Sequence, residues 1–242
     1  MSKKVLFNWS SGKDSSLALY KLLQNQDYQI DYLFTSVSEK YNRISMHGVR
    51  KELLIQQAES IGIPLKILGL PEMPSMESYN QAMQNALIPI VEEGITHSAF
   101  GAIFLEDLKQ YREEKLKDVG LQGLFPLWKV DTKELITEFL DLGFKTIVTC
   151  VNSEYLDESF VGRVIDAQFI KDLPENVDVC GENGEFHTFT FDGPIFKNPV
   201  EFIVGEKVYR EYERPKSVSN DVCSVTEDQP NYGFWYIDLL PK

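Results

Sequence analysis

Three short stretches of the chain carry residues whose types and spacing suit chemistry. The first is Ser10-Ser11-Gly12-Lys13-Asp14-Ser15. It follows the apolar run Val5-Leu6-Phe7 and precedes Leu17, Ala18, Leu19, Leu22 and Leu23, whose spacing is helical. A loop between a strand end and a helix start collects unpaired backbone N–H groups and the positive end of the helix dipole. Gly12 lets the backbone close on a ligand, Ser10, Ser11 and Ser15 add hydroxyls, and Lys13 adds a mobile positive charge. Together these suit a phosphate group. The spacing G-x-x-x-x-G-K-[ST] is absent, so the loop is not of the Walker A type. A helix capped by Ser11 or Asp14 is the blander reading; the position straight after the first strand favours nucleotide binding.

The second stretch is Gly181-Glu182-Asn183-Gly184-Glu185-Phe186-His187-Thr188. Paired carboxylates beside a histidine can bind Mg²⁺, hold an amine, or act as acid and base. Asn183-Gly184 is also a strong turn signal, so the segment doubles as a tight connection between strands. The third stretch runs from Phe100 to Glu114. Gly101 follows a short strand, and Glu106, Asp107, Tyr111 and Arg112 lie on the next helix or its entry. Arg112 suits a carboxylate or phosphate of a substrate; the alternative is a solvated helix face with i,i+4 pairs. His47, at the start of another helix, is a candidate nucleotide neighbour or a plain cap-region residue.

The elements that must position these stretches alternate through the first half. Strands are expected at Ile30–Val37, Leu65–Leu68, Thr96–Phe100 and Lys145–Val151. Helices are expected at Val49–Ile61, Met76–Glu93 (bent or ended early by Pro89), Leu105–Val119 and Thr132–Leu142. Such alternation implies a parallel sheet with helices on both faces, whose ligands sit at the carboxyl ends of the strands. The Ser10–Ser15 loop is at such an end. The second half reads differently: a helix over Glu154–Asp172, alternating runs at Phe189–Phe191, Val200–Val204 and Phe234–Leu239, and a polar irregular loop over Ser217–Tyr232. A boundary near residue 130 divides the chain into residues 1–130, which would bind the nucleotide, and 131–242, which would bind the substrate.

Composition narrows the function classes. The formal net charge is −13, which opposes binding to a nucleic-acid backbone, and no basic cluster offsets it. No apolar run approaches the roughly 20 residues that span a bilayer, and Met1-Ser2-Lys3-Lys4 leads directly into the first strand. A cytoplasmic protein that uses neither membrane nor nucleic acid is expected. The three cysteines, Cys150, Cys180 and Cys223, are far apart, which argues against a disulfide scaffold and against sulfur transfer through a paired-cysteine site.

The Ser10–Ser15 stretch resembles the PP-loop, S-G-G-x-D-S, of the ATP pyrophosphatases, with Ser11 where the family usually has its first Gly. Taken with Gly101–Arg112, Gly123-Leu124-Phe125-Pro126-Leu127-Trp128, Gly181–Thr188 and Phe191-Asp192-Gly193-Pro194-Ile195-Phe196, it resembles the diphthine–ammonia ligase family over most of the chain. That resemblance implies a HUP-like α/β domain that binds ATP and a smaller C-terminal α+β domain. It implies AMP-forming chemistry: ATP activates a carboxylate, pyrophosphate leaves, and ammonia then forms an amide. Ser10, Ser11, Gly12, Lys13, Asp14, Ser15, His47 and Gly101 would bind ATP, with Asp14 on Mg²⁺. Lys13, Asp14, Glu182, Glu185 and His187 would be catalytic, while Glu106, Asp107, Tyr111, Arg112 and Asn183 would meet the acceptor. A homodimer is compatible with this reading. Diphthine ligases read closer to G-E-G-G-E-[YF]-E-T in the last motif, so Asn183 and His187 stand here for a Gly and a Glu. This variant is similar to a bacterial subgroup for which a role in cobalamin salvage has been proposed. Diphthine amidation itself and a non-catalytic ATP or AMP sensor are the alternatives.

Overall fold

A computed structural model describes residues 2–44, 47–72, 74–212 and 232–242. Five parallel strands form the first sheet: β1 (Lys3–Asn8), β2 (Tyr28–Ser38), β4 (Leu65–Leu70), β5 (His97–Ala99) and β6 (Gln122–Leu124). β1 lies between β2 and β5, with β4 beside β2 and β6 beside β5; the two-residue β3 (Arg43–Ile44) adds an antiparallel pairing to the end of β2. Adjacent residues of β1 serve different cores. Val5 and Phe7 pack with α1 (Lys13–Leu23) and α2 (Lys51–Ile61). Leu6 packs with α3 (Met76–Glu92) and α4 (Glu106–Asp118). Strands buried on both faces are what the continuous apolar run Val5-Leu6-Phe7 requires.

The second sheet is antiparallel, in the order β8 (Phe186–Asp192), β7 (Lys145–Asn152), β10 (Tyr232–Pro241), β9 (Phe202–Tyr212). It shares one core with α1, α2 and α5 (Thr132–Asp141): Ile147, Val148, Val151, Phe189, Ile237 and Leu239 are buried with Leu17, Leu19, Leu53, Leu54 and Phe139. α1 packs on β8 and α2 on β10, so these two helices lie between the sheets. This layering brings the second sheet to the start of α1.

Three sequence expectations need correction. The strand at Lys145–Val151 belongs to this antiparallel sheet and not to the parallel one. Pro89 does not end its helix, because α3 runs to Glu92; the carbonyl four residues back, on Asn85, is on an exposed face where water can satisfy it. The long helix over Glu154–Asp172 shrinks to α6 (Ala167–Asp172). Its first part pairs instead with β7, through Gly162 N–H to the Val148 carbonyl at 2.8 Å and Ile165 N–H to the Thr146 carbonyl at 3.0 Å. The side chain of Asp166 then caps α6 by accepting from Phe169 N–H. The loop expected at Ser217–Tyr232 lies outside the described residues except for Tyr232, where β10 begins. Among the described residues no helix is long and apolar enough to cross a membrane.

One ion cluster ties β10 to the first sheet. Asp238 accepts from Arg50 Nε at 3.0 Å and Nη2 at 2.6 Å, and lies 2.9 Å from Arg43 Nη1. The hydrogen bonds from Arg50 are the main reason its carboxyl falls from 3.8 to about 2. A carboxyl depressed by folding contributes stability that is complete above its unfolded pKa and is lost as pH falls through the folded one. Asp238→Asn is therefore expected to cost about 1–2 kcal/mol at neutral pH. That gap should close as pH drops from about 4 to about 2, read by urea unfolding of both proteins.

Candidate functional site

The loop between β1 and α1 is built from its own residues. Ser10 Oγ donates to Ser15 Oγ at 3.0 Å, and Ser15 Oγ and Ser16 Oγ lie 2.9 Å from the Gly12 carbonyl. Gly12 stands at the N-cap of α1 in extended conformation without a side-chain cap. Ser11 is left-handed, with φ 71°, the conformation a glycine adopts without strain, and its buried hydroxyl has no partner among the described residues. The loop sits at the carboxyl edge of the sheet: Asn8 Nδ2 donates to Ser98 Oγ at 2.8 Å and to the Ala99 carbonyl at 3.0 Å. Gly101 follows β5, and a Cβ there would lie 2.9 Å from the Asp14 carbonyl carbon and the Ser15 nitrogen. Only a glycine lets this strand exit press on the first turn of α1.

The second sheet closes the other side. Lys13 N–H donates to Thr188 Oγ1 at 3.0 Å, and Thr190 N–H donates to the Ser11 carbonyl at 2.9 Å. Gln57, fully buried on α2, accepts from Trp9 Nε1 at 2.9 Å and donates to the carbonyls of Ser11 at 3.1 Å and Thr190 at 2.6 Å. Sequence reasoning missed Gln57. Its signal was a polar residue among Leu53, Leu54, Ala58 and Ile61, on the helix face that must be buried.

Lys13 is the charge at the centre. Its buried ammonium is 2.9 and 2.8 Å from the two Asp14 oxygens, donates to the Cys180 carbonyl, and lies 5.4 Å from the centre of the Phe186 ring. Burial alone would lower its pKa, but Asp14 beside it, with Glu182 further away, outweighs burial and raises it. The lysine stays charged. Burial also raises the Asp14 carboxyl, against the pull of Lys13; the short contacts favour the ion pair.

Glu182, Glu185 and His187 have three different settings. Glu182 Oε1 accepts from Ile103 N–H at 2.9 Å. Burial raises its carboxyl, as does Asp14 nearby, while the Ile103 N–H pulls the other way. A carboxyl pushed up in this way is a stronger base than an exposed one. Glu185 is 1% exposed, and its oxygens accept from the N–H groups of Asp178 (3.0 Å) and Asn183 (2.9 Å) and from Asn183 Nδ2 (3.0 Å). It shapes its own turn, and its partners lie within that turn. Asn183 is bound into the same turn. Asp178, which the sequence did not single out, accepts from Cys180 N–H and from Thr132 Oγ1 and so anchors the segment.

His47 and His187 stack, ring centres 4.7 Å apart and tilted by 31°. His47 Nδ1 donates to the Thr188 carbonyl at 3.1 Å. Burial lowers His47 to about 4; burial, then His47 and Lys13, push His187 well below its usual value. Both are neutral imidazoles at physiological pH, and His187 Nε2 is buried without a partner among the described residues.

The third stretch is only partly brought in. Arg112 lies 4.6 Å from the centre of the Phe100 ring. Burial lowers its pKa, opposed by the charges of Tyr79 and Glu182. Tyr111 donates its hydroxyl to Asn80 on α3. Glu106 and Asp107, expected to meet a substrate, are exposed in the first turn of α4, and Glu106 is 3.4 Å from Lys129. Acids there complement the helix dipole, which explains them without a ligand.

The loop offers N–H groups, hydroxyls and one fixed ammonium, a donor set that fits the phosphates of a nucleotide. Among the described residues no three His, Cys, Asp or Glu side chains are arranged to hold a metal unaided. Mg²⁺ commonly binds one or two carboxylates together with substrate phosphates, and Asp14, 30% exposed beside the loop, is such an oxygen donor.

Comparison with known proteins gives two family matches. Residues 3–123 match the diphthamide synthase N-terminal domain and residues 131–222 the diphthamide synthase C-terminal domain. The diphthine–ammonia ligase of Bos taurus is 32% identical over 115 residues, covering 45% of this chain and 43% of that protein. The Homo sapiens enzyme is 31% identical over the same length and coverage. The match thus spans less than half the length of these relatives. Among solved structures, a U34-tRNA thiolase of Methanococcus maripaludis with its [4Fe-4S] cluster is similar at TM-score 0.38 and 20% identity, over 58% of this chain and 57% of that one. A predicted subunit of a tRNA methyltransferase from Methanocaldococcus jannaschii is similar at TM-score 0.42 and 16% identity, over 79% and 98%.

Proposed function

Because the chain belongs to the diphthamide synthase family, matching its N-terminal and C-terminal domains in order, we propose that it is an ATP-dependent, AMP-forming amide ligase. Residues 1–130 would carry the nucleotide and residues 131–242 the acceptor side. The observation that carries this reading is the meeting at Lys13. One ammonium touches Asp14 of the loop and the Cys180 carbonyl 167 residues away, so a phosphate-binding loop and an acid-rich turn face one another.

In this reading the acceptor carboxylate attacks the α-phosphorus of ATP and pyrophosphate leaves. The loop N–H groups, Ser10, Ser15 and Lys13 stabilise the charge that gathers on the leaving group. Asp14 would hold Mg²⁺, which would supply further neutralisation of that charge. Glu182 receives the proton that ammonium must lose before its nitrogen can attack the acyl carbon and break the acyl–oxygen bond, releasing AMP. Neutral His187 orients the acceptor through Nε2, Arg112 holds an anionic part of it, and Glu185 keeps the turn in shape. The bacterial subgroup and a place in cobalamin salvage are the finer parts of the proposal.

The test is the nucleotide product. The protein is incubated with Mg-ATP, ammonium and a carboxylate-rich metabolite extract, and AMP, ADP, pyrophosphate and phosphate are resolved. AMP and pyrophosphate in equal amounts are expected. ADP with phosphate would overturn the assignment. A diphthine-bearing protein and corrinoid acids, assayed separately, decide between the two acceptor classes.

A further inference from the structure

β9 ends the second sheet, and among the described residues no strand pairs with its outer edge. Open edges are usually short, kinked or covered, because unpaired N–H and C=O groups recruit another strand. β9 is 11 residues long and contains no proline. Its pairing with β10 is regular from Lys207 to Tyr212, and its one irregularity is confined to Gly205-Glu206, opposite Asp238. Ile203, Val204, Val208, Tyr209 and Tyr212 are all 39–54% exposed, so one strand holds much of the large apolar surface open to water. Tyr209 packs on Trp235 of β10 with ring centres 5.0 Å apart, which fixes its ring at the surface.

We propose that this edge joins two copies of the chain, β9 pairing antiparallel with β9 of a second copy about a two-fold axis through Tyr209. The occupant is chosen by charge. With the axis at Tyr209, Lys207 faces Glu211 of the second copy and Glu211 faces its Lys207, so each opposite-charge pair occurs twice. Val208 then lies opposite the aliphatic stem of Arg210. Because successive side chains alternate faces, the axis must pass through a residue; at Lys207 or at Arg210 that side chain would face its own copy, and like charges would meet. Only closed two-fold pairing makes the same patch complementary to itself. The regular stretch Lys207–Tyr212 spans about 20 Å of edge. The product is one eight-stranded sheet, with the two Tyr209–Trp235 pairs side by side across the axis. This inference does not depend on the chemistry assigned to the Lys13 site.

The experiment is sedimentation velocity on the full chain at about 0.15 M salt, where repulsion between two chains of charge −13 is screened. The wild type is expected to dimerise. Lys207→Glu and Glu211→Lys, each of which places like charges opposite one another, should weaken the dimer by about tenfold to a hundredfold. The double substitution restores both pairs and should restore the dimer, and it also controls for misfolding. Mixing the two single variants should produce a heterodimer, because each then supplies the charge the other lacks. A monomeric wild type overturns the proposal. So does a dimer that ignores the single substitutions, or single variants that fail to recover when mixed.

Discussion

Lys13→Met is expected to lower AMP formation by about 10²–10³-fold, the scale on which a preorganised charge at a leaving group acts. Lys13 is 3% exposed and is the cation that faces both Asp14 and the Cys180 carbonyl. Methionine keeps the stem and removes the charge. It also leaves the Asp14 carboxylate without its ion pair, which for a buried pair costs about 3–5 kcal/mol; Asp14 is 30% exposed, so the smaller figure applies. Stability and chemistry are separated by a second variant. Lys13→Met with Asp14→Asn removes both charges and should regain most of the stability without regaining turnover. Thermal unfolding and product release are measured on all three proteins. Turnover within tenfold of wild type in the stable double variant would show that the lysine serves folding alone.

Gln57→Leu carries the largest expected loss of stability, about 3–4 kcal/mol. The substitution is similar in volume and keeps the helix. It orphans the Trp9 indole N–H and the Thr190 carbonyl, both of which lose a buried partner, and weakens the hold on the Ser11 carbonyl, which keeps Thr190 N–H. Each buried group left unpaired costs about 1–3 kcal/mol. These bonds also join β8 to the phosphate loop, so nucleotide affinity should fall with stability. Denaturant unfolding gives the first effect and a fluorescent ATP analogue the second. A loss below about 1 kcal/mol would mean that water or a neighbour satisfies these groups.

Much of the Ser10–Ser15 loop and of the sheet behind it was legible from the chain itself. The Ser10–Ser15 loop is contiguous, its hydroxyls bond within it, and the strand before it and helix after it announce themselves by apolar spacing. The alternation of strands and helices gave the parallel sheet for the same reason: the pattern repeats at the local period of each element. It failed where no period decides. Residues 154–166 have helix-compatible side chains, yet 162–165 pair with β7 after a run of turns, and a strand's choice of sheet is a long-range matter.

The acceptor side was harder to read, because a side chain's use depends on what faces it. Glu182 and Glu185 look equivalent in sequence. One accepts from Ile103 N–H, outside its own turn, and burial raises its carboxyl; the other turns inward and accepts three bonds from its own loop. His187 is an ordinary histidine until burial, His47 and Lys13 hold it neutral. By itself, then, the sequence determined the Ser10–Ser15 loop between its strand and helix, the alternating half and the family, because these rest on short contiguous patterns. The tertiary structure alone decided that Lys13 meets Cys180, that Gln57 clasps two sheets, and which acid reaches Ile103. Those outcomes depend on the packing of segments 79 to 167 residues apart, which local periodicity does not encode.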